Sequence, residues 1–307
     1  MQATFDTKVF TIRFAVLCCL GFLIVELLPD QFFAPVNRLT AEHSVAILRE
    51  AGYVPDLHET VIRGTTFSMK VVTECTIIFM AILYLSFVLA APATMQQKAT
   101  GILLGLPLLH ILDILRIAAL FCVGISVPSL FNILHVYAAQ IFMAFSVILA
   151  CSIWLNGTAT NTGPAPWRFA IRFVLWTLPL FVVWLFLNRG YVRYEDLLLG
   201  GIFSLAGERL IFQYGHIAYF QTFNFVTYGA LLLATKEIEV RRQIHWSAAG
   251  FLIMAAGHLL SRGGNVLMTA FRMDLTFPYV TAINLICQYL IPFGLWFALT
   301  GRRSTHA

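Results

Sequence analysis

The sequence predicts an all-α fold: a polytopic membrane bundle of about eight transmembrane helices, with an amphipathic helix and a short extended segment between helices 1 and 2. Three observations carry this expectation. Of 307 residues, 59% are hydrophobic and only 11% charged, less than half the ~25% charged share of a soluble domain. Mean hydropathy is +0.81, so the chain cannot cover a soluble surface. Apolar runs long enough to cross a hydrocarbon core of ~30 Å recur along the whole length. The net charge of +5 is scattered through short inter-helical stretches, which argues for a bilayer and against nucleic acid as partner.

The first apolar run, about Val9 to Leu28, lacks a small-residue cleavage site before Leu28-Pro29-Asp30 and reads as a retained helix. Pro35 to Ala51 interleaves Val36, Leu39, Val45, Ala46 and Leu48 with Arg38, Glu42, His43, Arg49 and Glu50. That spacing predicts an amphipathic helix on the outer membrane surface, ended by Gly52 as C-cap. Tyr53 to Met69, β-branched and centred on Gly64, reads as extended or hairpin-like. A second helix is expected from Thr76 to Ala91, a third from Ala99 to Cys122 and a fourth from Ile133 to Leu155, with Gly124 to Asn132 as a turn around Pro128.

Asn156 to Pro166 (NGTATNTGPAP) is the clearest linker. It divides a core of residues 1–155 from an accessory four-helix membrane region, 167–307. Within the latter, helices are expected at Arg168–Leu187, Ile217–Ala234, Trp246–Leu260 and Tyr279–Thr300. Asn188–Gly215 and Ser261–Pro278 read as loops, with Leu197–Leu205 a possible interfacial piece of the former.

Basic residues orient the bundle. Lys8/Arg13, Lys98, Arg168/Arg172, Lys236/Arg241/Arg242 and Arg302/Arg303 alternate as eight helices with both termini cytoplasmic require. Arg38, Arg49, Arg63, Lys70, Arg189, Arg193 and Arg262 fall on the other side and dilute the bias without reversing it. The expected location is the cytoplasmic (inner) membrane. This topology brings Cys75, Arg116 and His135 to one level near the outer face.

Those three groups are chemically complementary. Cysteine chemistry needs the thiolate, favoured by a helix N-terminus or a nearby cation, and Cys75 stands where the second helix is expected to start, next to Glu74. Histidine can take the thiol proton and return it to a leaving amine. Arginine stays charged and can hold an oxyanion. On the third helix His110, Asp113 and Arg116 recur every three residues and are expected to line one stripe, with Asp113 orienting Arg116. Intramembrane ionisable residues of this kind either pair structurally or serve a site. Six cysteines show no CxxC pair and no metal-ligand spacing. A Cys75–Cys122 disulfide is the structural alternative for Cys75. His110 and His135 differ in depth and are not a haem pair. Glu208, Arg209, His216 and Ser261–Asn265 read as solvated loop residues, and His245 and His258 share no ligand geometry.

The order Glu74-Cys75-Thr76 at a helix start, an Arg late in the next helix and a His opening the helix after resembles the exosortase/archaeosortase family. So does Gly64, eleven residues before the cysteine, in the segment leading to it. The family's small residue, often Ser then Gly, after the cysteine is replaced here by Thr76-Ile77. The resemblance covers about Val9 to Leu155. It implies a membrane cysteine peptidase/transpeptidase with Cys75 as nucleophile and Arg116 and His135 completing a triad, supported by Asp113, Glu74 and His110. The implied substrates are exported proteins with a C-terminal motif, transmembrane helix and basic tail, passed to a lipid- or saccharide-type acceptor. No metal or organic cofactor is called for. The opening of the second half, Arg168–Leu187, is similar to small membrane proteins associated with some exosortases. The alternative from another class is a transporter or scaffold whose solute path is the polar stripe of the third helix.

Overall fold

A computed structural model describes residues 7–158, 166–212, 220–235, 239–273 and 277–301. Most of the linker, His216, Lys236, Arg302 and Arg303 lie outside these residues. The chain forms two compact units divided between Ala170 and Ile171.

In the first unit α1 (Thr7–Leu27) packs against α3 (Ile78–Ala90), which in turn meets α4 (Met95–Ser126) and α6 (Ala139–Thr158). One side of α1 exposes Ile12, Val16, Leu20, Leu23 and Ile24, a continuous apolar surface suited to lipid rather than water. α4 opens on a capping box: Thr94 Oγ1 accepts from the Gln97 amide, and Gln97 Oε1 accepts from the Thr94 amide. A side chain on Gly101 or Gly105 would collide with Trp154 and Tyr84 respectively. Without one, the Tyr84 hydroxyl reaches the Gly101 carbonyl at 2.9 Å and Trp154 Nε1 the Gln97 carbonyl at 2.9 Å.

Between α1 and α3, α2 (Ala34–Glu50) ends in a Schellman motif. Gly52 takes φ +86°; its amide donates to Arg49 O and the Tyr53 amide to Leu48 O, both at 3.0 Å. The chain then forms an antiparallel meander of β1 (Asp56–His58), β2 (Val61–Arg63) and β3 (Ser68–Lys70), with Leu57 opposite Ile62 and Ile62 opposite Met69. The apolar face of α2 differs from the expectation of a helix lying on lipid. Ala41, Val45 and Leu48 are buried in a protein core with Ile62, Met69, Val71, Cys75, Ile117 and Phe121.

Three other expectations are corrected. Gly124–Asn132 is not a turn: α4 runs on to Ser126, α5 (Pro128–Ile133) follows, and a π-turn (Leu134–Ala138) leads into α6. Pro128 sits at the start of α5, where its missing N–H costs nothing. In the second unit Asn188–Leu205 is not a loop but the second half of a 40-residue helix, α7 (Pro166–Leu205). Likewise Ser261–Ala270 completes α9 (Val240–Ala270). The polar residues that suggested loops are partnered inside the unit. Asn188 Oδ1 accepts from Thr222 Oγ1 at 2.7 Å, Arg262 pairs with Asp196, Ser261 bonds Asn284, and Tyr191 bonds His258 at 3.0 Å. Ser261 is buried rather than solvated, while Glu208 and Arg209 are exposed past the end of α7. A turn of 3₁₀ helix (Phe220–Phe223), α8 (Asn224–Ala234), α10 (Phe277–Leu285), a π-turn (Ile286–Leu290) and α11 (Ile291–Gly301) complete the unit. Its core gathers Tyr228, Leu232, Met254 and Leu299.

The protein is thus an integral membrane protein. Among the described residues four helices are long and apolar enough to span a bilayer, Val9–Leu27, Met95–Ser126, Ile171–Leu205 and Val240–Ala270. Three shorter apolar helices, Ile78–Ala90, Ile141–Leu155 and Asn224–Ala234, accompany them.

Candidate active site

The local structure around Cys75 begins with β3. Met69 is buried, and past the strand the Val71 amide donates to the Thr60 carbonyl at 2.8 Å. Thr73–Cys75 then forms a single 3₁₀ turn, closed by the Cys75 amide on Val72 O at 2.8 Å and the Thr76 amide on Thr73 O at 3.1 Å. Thr76 is extended (φ −109°, ψ 175°), and its hydroxyl donates back to Thr73 O at 2.8 Å. α3 starts only at Ile78, with Ile77 as N-cap. Cys75 therefore precedes the helix by three residues instead of standing in its first turn. The β-branched Thr76, bonded back into the turn, delays the helix, and the helix N-terminus does not act directly on the thiol.

Arg116 supplies the cation. Its Nε and Nη2 donate to Asp113 Oδ1 at 3.0 and 2.8 Å, and Nη2 also donates to the main-chain carbonyl of Cys75 at 2.7 Å. Asp113 is fully buried and Arg116 is 7% exposed. The i, i+3 pair thus holds the guanidinium against the cysteine turn, 41 residues away in sequence. Nη1 makes no hydrogen bond among the described residues, which leaves one edge of the fork open.

His135 comes from the π-turn between α5 and α6. Its ring stacks on Phe131 (centroids 5.2 Å apart, planes 5° apart), and Phe131 meets Phe67 from the meander at 4.7 Å. The Arg116 charge acts on the imidazole, and His135 Nδ1 is buried without a hydrogen-bond partner. The chain therefore gathers Cys75, Arg116 and Asp113 by direct contact and His135 within electrostatic reach of Arg116.

His110 goes elsewhere. It bonds His43 of α2 at 2.9 Å, ring edge to ring face. Steps of three residues rotate ~60° each, so by His110 the expected stripe has turned ~120° from Arg116. Glu74 is exposed on the outside of the turn. All six cysteines are free, so the Cys75–Cys122 disulfide is absent. Burial raises the Cys75 thiol above its ordinary value; the Arg116 cation and the Val72 hydrogen bond oppose this, and the Asp113 and Glu74 charges reinforce it. The raised thiol favours the protonated sulfur, so use of Cys75 as a nucleophile would call for a base.

Sequence reasoning missed Asn37 and Thr73. Asn37 Nδ2 donates to Thr73 Oγ1 at 3.2 Å and ties α2 to the cysteine turn. The available signal for Asn37 was an amide on the apolar face of an amphipathic helix, where polar residues demand partners.

No curated protein and no solved structure matches the chain. Residues 5–154 match one family model, described as transmembrane exosortase. Those residues span α1 to α6 and include the Cys75 turn, the Arg116–Asp113 pair and His135. Over residues 5–154, just under half of its 307 residues, the chain is similar to the transmembrane exosortase family.

Proposed function

We propose that the protein is a membrane cysteine transpeptidase that cleaves C-terminal sorting signals of exported proteins, with Cys75 as nucleophile, Arg116 as oxyanion holder and His135 as proton carrier. The observation that carries this reading is the Arg116 fork, anchored by Asp113 and seated on the Cys75 carbonyl at 2.7 Å.

The reaction follows from the side chains. His135 takes the proton of the Cys75 thiol, and the sulfur attacks the scissile carbonyl carbon. The C=O π-electrons move onto oxygen, and the open Nη1 edge of Arg116 stabilises that oxyanion. Collapse breaks the C–N bond, His135 returns the proton to the leaving amine, and a thioester to Cys75 remains. An amine of the acceptor, or water, then attacks the thioester and restores the thiol. A buried cysteine and an unpartnered imidazole nitrogen, both acted on by the Arg116 charge, suit a nucleophile activated only when the proton can move on.

The substrate's own transmembrane helix confines its cleavage site to the depth of the Cys75 turn, so both partners search in one plane. We place this site at the outer face of the cytoplasmic membrane with both termini cytoplasmic, and residues 167–307 as an accessory membrane region. Glu74, exposed on the turn, and His110, bonded to His43, stay outside the reacting groups.

The test is processing of a co-expressed exported protein ending in a motif, an apolar helix and a basic tail. Cys75→Ala abolishes conversion of its precursor, while Cys122→Ala leaves it intact. Unchanged conversion in the Cys75→Ala protein contradicts the proposal.

A further inference from the structure

The wall that faces the Cys75 turn is polar at one end. α2 buries a stripe of Asn37, Thr40, Ala41, Ser44, Val45 and Leu48. Its later residues, Ala41, Val45 and Leu48, close an apolar core together with Val71, Cys75 and Ile117. One turn earlier the stripe changes character. Asn37 spends its Nδ2 on Thr73 Oγ1 within the cysteine turn, and its Oδ1 accepts nothing. Thr40 is fully buried, and its hydroxyl has no partner either. Ser44, one turn on, shows the usual local solution by donating its hydroxyl to Thr40 O at 2.7 Å.

Buried polar atoms are nearly always paired. Here an acceptor and a hydroxyl stand orphaned on one helical stripe, beside the turn that carries the nucleophile. Residues three apart on a helix are neighbours, ~5–6 Å between their Cβ atoms. A peptide in extended form presents the N–H and C=O of one residue to the same side, the pair that an antiparallel neighbour would engage.

Resting on the transpeptidase reading above, we infer that Asn37 and Thr40 form a main-chain clamp for the substrate peptide. Asn37 Oδ1 accepts an N–H, and Thr40 Oγ1 donates to the C=O, of one extended residue flanking the scissile bond. The clamp reads backbone and no side chain, so it fixes the register of the substrate at Cys75 independently of the sorting motif. Asn37 has a second role as a positioning residue, because the same side chain holds Thr73 and with it the cysteine turn.

The experiment uses the full-length protein in proteoliposomes. The probe is a synthetic peptide carrying a motif, an apolar helix and an Arg-rich tail, taken from an exported protein of the same genome. Thr40→Val, which keeps the shape and removes the hydroxyl, raises KM about tenfold with kcat changed less than twofold, and Thr40→Ser restores KM. Alkylation of Cys75 without substrate proceeds at the wild-type rate in both variants. Asn37→Asp, which keeps an acceptor oxygen but loses the amide donor to Thr73, lowers kcat more than it raises KM. An unaltered KM in Thr40→Val overturns the clamp, as does a slowed Cys75 alkylation in that variant, which would mark Thr40 as structural. Failure of the Thr40→Ser rescue also overturns it. If wild-type conversion does not depend on Cys75, the transpeptidase reading itself falls. If it does and Thr40→Val is normal, only the clamp falls.

Discussion

Each half of the chain buries an arginine–aspartate pair, and the two pairs are built differently. Arg116 and Asp113 lie one turn apart on α4, so the pair is made within its own helix and the guanidinium is left to reach outward, to the Cys75 carbonyl. Arg262 and Asp196 lie 66 residues apart on α9 and α7, with Nη2 at 2.8 Å from Asp196 Oδ2 and Nε also on the carboxylate. That guanidinium spends Nε and Nη2 on the partner helix and lies 5.9 Å from the Phe212 ring. A local pair presents a charge to another element; a bridging pair joins two elements. Identical residue types therefore stand at the proposed site in one unit and form a strut in the other. The difference follows from sequence separation: the local pair forms within one helix and can reach a third element, whereas the distant pair is itself the tertiary contact.

Lysine substitutions break the comparison most sharply. Arg116→Lys retains charge and loses the planar fork, so conversion of the anchored precursor falls by about 100-fold, the scale of removing one oxyanion donor. Arg262→Lys keeps conversion within about threefold once corrected for the amount of folded protein. Equal losses in the two variants would erase the distinction between site and strut.

A second test concerns the strut. Asp196→Ala leaves the Arg262 charge buried without its carboxylate, which costs about 3–5 kcal/mol and lowers the thermal midpoint in detergent. The double change Asp196→Leu with Arg262→Met recovers most of that loss, since an apolar pair of similar volume suits the same interior. If the double variant is no more stable than Asp196→Ala, the pair is more than a clamp between α7 and α9.

A smaller effect is read from pH. Burial holds the Cys75 proton on, with Arg116 the largest opposing influence. Alkylation requires the thiolate, so its rate climbs with pH and reaches half-maximum above the ~8.5 of a free cysteine. Arg116→Gln removes the opposing cation and moves that midpoint higher still. A midpoint below the free-thiol value would show that the cysteine rests as thiolate and needs no base.

Much of the first unit was legible in the sequence because its signals are local. The Gly52 cap, the amphipathic period of α2, the meander around Gly64 and the Asp113–Arg116 spacing each act within a few residues, and each recurs in the structure. What was misread needed a partner far along the chain. Asn188, Asp196, Ser261 and Arg262 are poor residues for an apolar helix taken alone. α7 and α9 continue through them because each finds its complement on another element. The same cause hid Asn37, which looked like part of a lipid-facing helix until Thr73 supplied its acceptor. His110 failed for a geometric reason: a three-residue repeat drifts around a 3.6-residue helix, and six residues from Arg116 it had turned toward His43.

The central claim is a covalent bond between substrate and Cys75, and mass spectrometry of the Cys75 peptide measures it directly. Membranes are incubated with the anchored probe in the absence of added amine and quenched in acid. The expected result is a mass increment on Cys75 equal to the acyl part of the probe, the segment N-terminal to the scissile bond, released by hydroxylamine and strongly reduced in Arg116→Lys. Precursor conversion at the normal rate with Cys75 unmodified, or an adduct on another cysteine, would contradict it.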